Sequence, residues 1–426
     1  MADNVAAVRP FATLAGLLAA LLIAFVSPSL AMAVPAPTPV TDHCPYRLGT
    51  PSPVDESEVV APGATTPTPL PVPTPVVGGE RLAGCGVLAD PALGPVPPRL
   101  TSAGWLVADL ATGQIIAAKD PHGRYRPAST IKVLLALVAL DELDLDAVVA
   151  PSPQDWSQEG DSCGMGPGGH YTTRDLLTGL LVVSGNDCAH ALARELGGVD
   201  AALAAMNAKA HALHADDTRA ASPSGLDAPG MSSSPYDLAV IFREAMRNST
   251  FRELIAMPTY RFPGYPKRPD IPGDKNHPAY LMQTSNHLLL EGYPGMVGGK
   301  TGYTDDARKT YVGVVERDGR SIMTVEMFGL TVGSNSYWDQ TKSLFDYGFR
   351  APRDVSVGTL VDPGALATPP GAPTTPTAAA PSHTRTVVAA GADQPTRGAV
   401  HLLIGLALAF TAAVLLLIGS RLLRRR

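Results

Sequence analysis

Charge and aromaticity are scarce in this chain. Of its 426 residues only 17% are charged and 6% aromatic, with a net charge of −6. No basic cluster interrupts the central region, which argues against a nucleic-acid partner. Histidine and cysteine are also few, ten and four. Neither His-Glu-x-x-His nor Cys-x-x-Cys occurs, so neither a metal nor another cofactor is expected. No repeat of fixed period is visible, which sets aside solenoids and propellers. Proline and glycine, at 41 each, are instead abundant and unevenly spread. The chain is too long for one ordinary domain, yet much of it is not domain material.

The two ends read as targeting and tethering segments. Arg9, the apolar run Phe11–Val26 and the small-residue site Ala31-Met32-Ala33 make residues 1–33 a signal peptide, with an uncleaved anchor as the alternative. Either way the chain is exported. Residues 34–100 form a Pro-rich arm, expected to be extended and without a period that could build a core. Cys44 and Cys85 lie in this arm, and in an exported protein they read as a disulfide tying it into a loop. Residues 351–398 return to Pro, Ala and Thr and read as a linker. Residues 399–420 are apolar for about the length of a bilayer core, a transmembrane helix in expectation. The tail 421–426 carries four arginines, which by the positive-inside bias puts it in the cytoplasm and the rest of the protein outside. A single-pass cell-membrane protein follows.

Between these ends, residues 101–350 have the texture of a folded domain. Trp105–Leu110 and Gln114–Ala118, joined by Ala111-Thr112-Gly113, predict a β-hairpin. Helices are expected after Thr172 or Thr173, from Asp187 to Leu196, over Ala201–Leu213, and from Ser234 through Arg247. A Pro-rich excursion, Pro258–Pro278, precedes three strands; the last two pair across Asp318-Gly319, and a helix near Tyr337–Tyr347 closes the domain. Strands, then helices, then strands and a helix give one α+β domain with a helical insertion.

The chain is organised around Ser129-Thr130-Ile131-Lys132 and the apolar run Val133–Leu140 behind it. A helix apolar all round is buried, so Lys132 sits inside a core element with Ser129 three residues before it on the same face. A buried ammonium is costly unless paired or neutralised. A desolvated lysine beside a serine hydroxyl is one way to make a nucleophile; a capping serine and a snorkelling lysine are the plainer alternative. Two further patterns occur once each and in order: Ser184-Gly185-Asn186 in a loop between helices, and Lys300-Thr301-Gly302 on a strand.

Together the three patterns resemble the active-site motifs of penicillin-binding proteins and serine β-lactamases. The stretches Tyr125–Thr130 and Gly299–Thr304, the arm with two cysteines and the C-terminal anchor are similar to membrane-anchored D-alanyl-D-alanine carboxypeptidases of mycobacteria and related actinobacteria. The resemblance implies an antiparallel sheet flanked by helices. It implies Ser129 as acylated nucleophile, Lys132 as its general base, Ser184 as proton relay and Asn186 as the orienting side chain. Lys300 and Thr301 would receive the substrate carboxylate, and Gly302 would let substrate backbone approach. The oxyanion hole would come from the N–H groups of Ser129 and Tyr303. Gly185 stands where many relatives have Asp. The implied partners are peptidoglycan stem peptides and β-lactam antibiotics.

Cys163 and Cys188 flank the middle motif, and a disulfide between them is expected, with free thiols as the alternative. Gly299-Lys300-Thr301 mimics the end of a phosphate-binding loop, but the required earlier glycine is Pro294. His170, His190, His211 and His214 read as structural, and Asp305-Asp306 as solvated or bonded to a turn. A β-lactamase would need a deacylating carboxylate, and no Glu-x-x-Leu-Asn-like segment lies between Asn186 and Lys300. A non-catalytic wall-binding protein would have lost motif members. A D,D-endopeptidase would use the same machinery as a carboxypeptidase.

Overall fold

The computed structural model describes residues 40–363. The signal peptide, most of the expected linker and the apolar stretch 399–420 lie outside the described residues. Among the described residues no helix is long and apolar enough to cross a membrane.

The strands are β1 (Val87–Ala89), β2 (Gly104–Asp109), β3 (Gln114–Lys119), β4 (Val148–Val149), β5 (Tyr171–Thr172), β6 (Thr259–Phe262), β7 (Tyr280–Gln283), β8 (Met296–Thr304), β9 (Arg308–Arg317), β10 (Arg320–Gly329) and β11 (Gly358–Thr359). The helices are α1 (Lys132–Glu142), α2 (Pro153–Trp156), α3 (Thr173–Val182), α4 (Asn186–Glu195), α5 (Val199–Ala212), α6 (Pro235–Ala245), α7 (Ser249–Ile255), α8 (His287–Leu290) and α9 (Tyr337–Arg350). Seven strands make one sheet in the order β1-β3-β2-β10-β9-β8, with β11 also on β3. Every pairing in it is antiparallel. The β9–β10 hairpin turns at Asp318-Gly319, both at positive φ, as a tight turn between twisted strands requires.

Alternation along the strands builds two cores. Leu106, Ala108, Val312, Val314, Met323 and Val325 face α6 and the helical lobe. Trp105, Val107, Tyr311, Val315 and Ile322 face α9 through Leu344 and Phe345. Lys132–Ala139 of α1 are all buried, because helices cover it on several sides. Truncating a fully buried leucine there, such as Leu134, would cost about 2–5 kcal/mol. The helices of the insertion are capped as their sequences ask: Thr172 and Asp175 close a capping box on α3, and Ser234 caps α6.

Three expectations need correction. The arm, expected to be extended and to build no core, adds to one: Val77, Leu82 and Cys85 are buried, and β1 adds an edge strand to β3. Its carbonyls also have partners in the domain, since Arg124 donates to Leu70 O at 2.7 Å and Pro71 O at 2.8 Å. The domain does not stop at residue 350, because Val357 and Leu360 are buried and β11 pairs with β3. The Pro-rich excursion opens on β6 and leads into β7 just beyond Pro278, an antiparallel pair that its composition concealed.

Candidate active site

The turn that carries Ser129 is tighter than an α-helix start. Ala128–Ile131 form a 3₁₀ turn, and the α-helix begins only at Lys132. Ala128 is held at φ 46°, a left-handed conformation costly for a residue with a Cβ. Around it Arg124–Ala128 and Thr130–Ala139 are buried, while Ser129 alone is half exposed. Ser129 therefore opens onto a cleft of about 440 Å³, which Ser184, Asn186, Thr301, Gly302 and Tyr303 also line.

Behind it lies Lys132, fully buried. Its Nζ is 2.9 Å from Ser129 Oγ, 2.7 Å from Asn186 Oδ1 and 2.6 Å from the carbonyl oxygen of Ser224. The last two oxygens can only accept. A neutral amine has two N–H bonds to give them and one lone pair left for the Ser129 hydroxyl. Burial drives the Lys132 pKa well below its ordinary value, and the charge of Lys300 pushes the same way. Lys300 is itself buried, on β8, and donates to the Thr301 carbonyl at 2.8 Å. Burial lowers its pKa to about 7, against an opposing pull from Asp161.

The middle motif is clamped between helices. Ser184, at φ 66°, ends α3 with a buried Oγ that has no partner among the described residues. Asn186 opens α4; its N–H donates to Asp161 O at 2.6 Å and its Nδ2 to Glu159 O at 2.5 Å. Asp187 accepts from Cys163 N at 2.7 Å and Ser162 Oγ at 2.7 Å. Cys163 is bonded to Cys188, and Cys44 to Cys85. Gly185 follows from that bond: a Cβ there would fall 2.1 Å from Cys163 Sγ. Gly302 has an equally local cause, since a Cβ on it would fall 2.8 Å from Ser129 N.

The structure thus gathers Ser129, Lys132, Ser184, Asn186 and Lys300–Tyr303 around one cleft, while Cys44 and Cys85 hold the arm. Sequence reasoning missed the Ser224 carbonyl, because a main-chain oxygen leaves no mark in residue type. It also missed the far wall, where Trp338 stacks on His287 at 5.3 Å and Lys309 reaches the Tyr303 ring at 5.9 Å. Asp305 is exposed and accepts from Tyr303 OH at 2.8 Å. Asp306, by contrast, is buried rather than solvated. His190 and His211 bond to Asp155 and Asp216 at 2.6 and 3.0 Å, away from the cleft.

A serine hydroxyl backed by a desolvated lysine, beside a sheet-edge strand on an α+β scaffold, defines the class of serine acyl-transfer enzymes with the penicillin-binding-protein fold. Comparison narrows it. The sequence profile of the D-alanyl-D-alanine carboxypeptidase family, peptidase S11, matches residues 92–330. The chain is 49% identical over 259 residues, 60% of its length and 85% of the relative's, to the D-alanyl-D-alanine carboxypeptidase DacB2 of Mycobacterium tuberculosis. A crystal structure of D-alanyl-D-alanine carboxypeptidase from the same organism superposes with a TM-score of 0.59 at 45% identity, covering 64% of this chain and 99% of that one. The Streptomyces K15 DD-transpeptidase superposes with a TM-score of 0.55 at 26% identity, covering 60% and 100%. This chain belongs to the peptidase S11 family of D-alanyl-D-alanine carboxypeptidases.

Proposed function

We propose that the protein removes the terminal D-alanine from peptidoglycan stem peptides through an acyl-enzyme on Ser129. The observation that carries this reading is the surroundings of Lys132 Nζ, whose two accept-only oxygens leave a lone pair for the Ser129 hydroxyl. Lys132 takes that proton as Ser129 Oγ attacks the carbonyl carbon. The N–H groups of Ser129 and Tyr303 receive the developing oxyanion. Ser184, whose hydroxyl has no partner among the described residues, hands a proton to the departing D-alanine nitrogen. Lys300 and Thr301 hold the free carboxylate by charge-assisted hydrogen bonds. Water then hydrolyses the ester and returns the serine.

The same serine is the expected target of β-lactams, which carry a carboxylate beside a strained acyl bond. The apolar stretch 399–420 and its basic tail support an exported enzyme on a single-pass tether in the cell membrane. Mass spectrometry of a purified stem pentapeptide treated with the enzyme should show loss of one alanine. Penicillin should add covalently to Ser129, and Ser129→Ala should abolish the adduct. A label elsewhere, or one undiminished in that variant, would overturn the assignment.

A further inference from the structure

Resting on that reading of Ser129 and Tyr303, we infer that the Pro-rich arm is a working part of the catalytic site, with Glu58 as a positioning residue that keeps the two oxyanion donors in register. The donors come from distant parts of the chain. Arg126 lies three residues before Ser129, and Asp306 lies three residues after Tyr303. The arm grips both.

Arg126 is buried, 1% exposed, and its guanidinium is spent on the arm. Nε donates to Glu58 Oε1, Nη2 to Glu58 Oε2 at 2.7 Å, and Nη1 to the Pro51 carbonyl at 2.7 Å. Asp306, fully buried, accepts from Val54 N–H and from Ser57 Oγ at 3.3 Å, and lies 4.0 Å from Arg126 Nε. Residues 51–58 therefore join the approach to the nucleophile to the turn that ends β8. Asp227 lies near the same guanidinium and the Thr304 side chain, a second carboxylate beside the end of β8. The two gripped segments also touch directly: Thr310 Oγ1 donates to Pro127 O at 2.8 Å, and Gly302 abuts Ser129 N.

A bidentate arginine–carboxylate pair fixes orientation as well as distance. An oxyanion hole acts on the transition state and hardly on the bound peptide, so displacing one donor by a few tenths of an ångström lowers kcat more than it raises KM. Glu58 touches no substrate atom and works through Arg126.

The test compares wild type with Glu58→Gln, Glu58→Asp and the milder Ser57→Ala, each rate normalised to active sites titrated with penicillin. A peptide boronic acid, whose boron takes the place of the scissile carbonyl carbon, is the second probe. Its boron gains the Ser129 oxygen while Lys132 takes the hydroxyl proton, giving a tetrahedral anion in the oxyanion hole. Glu58→Gln should lose roughly tenfold to a hundredfold in kcat per active site and in boronate affinity, with KM within about twofold. Glu58→Asp, which keeps the charge, should lie between it and wild type, and Ser57→Ala should lose a few-fold. If kcat per active site and boronate affinity are unchanged in all three, or activity falls only because fewer sites titrate, the arm is merely structural and the inference is wrong. If the wild type itself fails to bind the boronate or penicillin at Ser129, the underlying mechanism fails instead.

Discussion

Lys132 Nζ and Asn186 Oδ1 lie 2.7 Å apart in a site closed to solvent on the lysine side. Because that oxygen accepts and never donates, Asn186 fixes which way the amine lone pair points. Asn186→Ala should therefore slow acylation by penicillin by about a hundredfold or more, the range of a mispositioned general base. Asn186→Asp should be worse at neutral pH, because a carboxylate beside Lys132 favours the ammonium. Raising the pH should restore part of its activity. An Asn186→Asp variant that is as active as wild type at pH 7 would refute the neutral-amine assignment.

Lys300 supplies a second pH effect. Its ammonium titrates near 7 because burial disfavours charge, and a bound carboxylate would restore that charge. KM for a peptide ending in a free carboxylate should thus climb as pH rises above about 7. The C-terminal amide should be a poor substrate throughout, without that climb. Lys300→Ala should lower turnover of the acid peptide sharply, and Thr301→Val should cost less. Lys300→Ala should also move the acid limb of acylation to higher pH, because Lys132 loses a neighbouring cation. Steady-state pH profiles of the two peptides and two variants decide this.

Gly185 and the Cys163–Cys188 bond should be coupled. Gly185→Asp would force a side chain onto Cys163 Sγ, an overpacking worth about 1–3 kcal/mol. In a protein with Cys163→Ala and Cys188→Ala the same change should cost markedly less, a coupling of at least about 1 kcal/mol. Denaturant unfolding of the four corners of the cycle measures it. Additive costs would show that the glycine has another cause.

Glu326 sets part of the pH dependence of folding. Fully buried on β10, it accepts from Ser102 Oγ at 3.0 Å and from Thr341 Oγ1, and burial raises its pKa to about 7. The folded state therefore holds this proton more tightly than the unfolded chain. The stabilisation is full below about 4.5 and lost as pH rises through about 7. Glu326→Gln should remove that slope and be the more stable protein at pH 8, by at most about 3 kcal/mol. Melting temperatures from pH 4 to 8 that fall in parallel for both proteins would contradict this.

The fold was legible where residue types mark an element. The apolar runs within Gly104–Asp109 and Arg320–Gly329, the apolar stretch Val133–Leu140 of α1 and the Asp318-Gly319 turn each have one physical solution. The chemical residues were legible because Ser129 and Lys132 lie three apart at the head of an apolar run, and because the three patterns occur once each and in order. What stayed hidden was carried by main-chain atoms or by long-range packing. The Ser224 carbonyl, the arm's carbonyls on Arg124 and the burial of Asp306 follow from where distant segments meet, which composition does not encode. Proline counts misled in the arm for the same reason. A segment without a period can still be buried when its carbonyls find arginines.

The sheet ends unequally. At one side β3 is covered by both β1 and β11, so its main-chain groups are spoken for. At the other, β8 pairs among the described residues only with β9, and its other side lines the cleft. Such an edge ordinarily invites another strand, and with it self-association and fibril growth. Here the sunken Lys300, the turn that carries Ser129 and the stacked His287–Trp338 wall crowd that edge. The fold thereby narrows its one open margin, so that what settles there is limited by shape before chemistry begins.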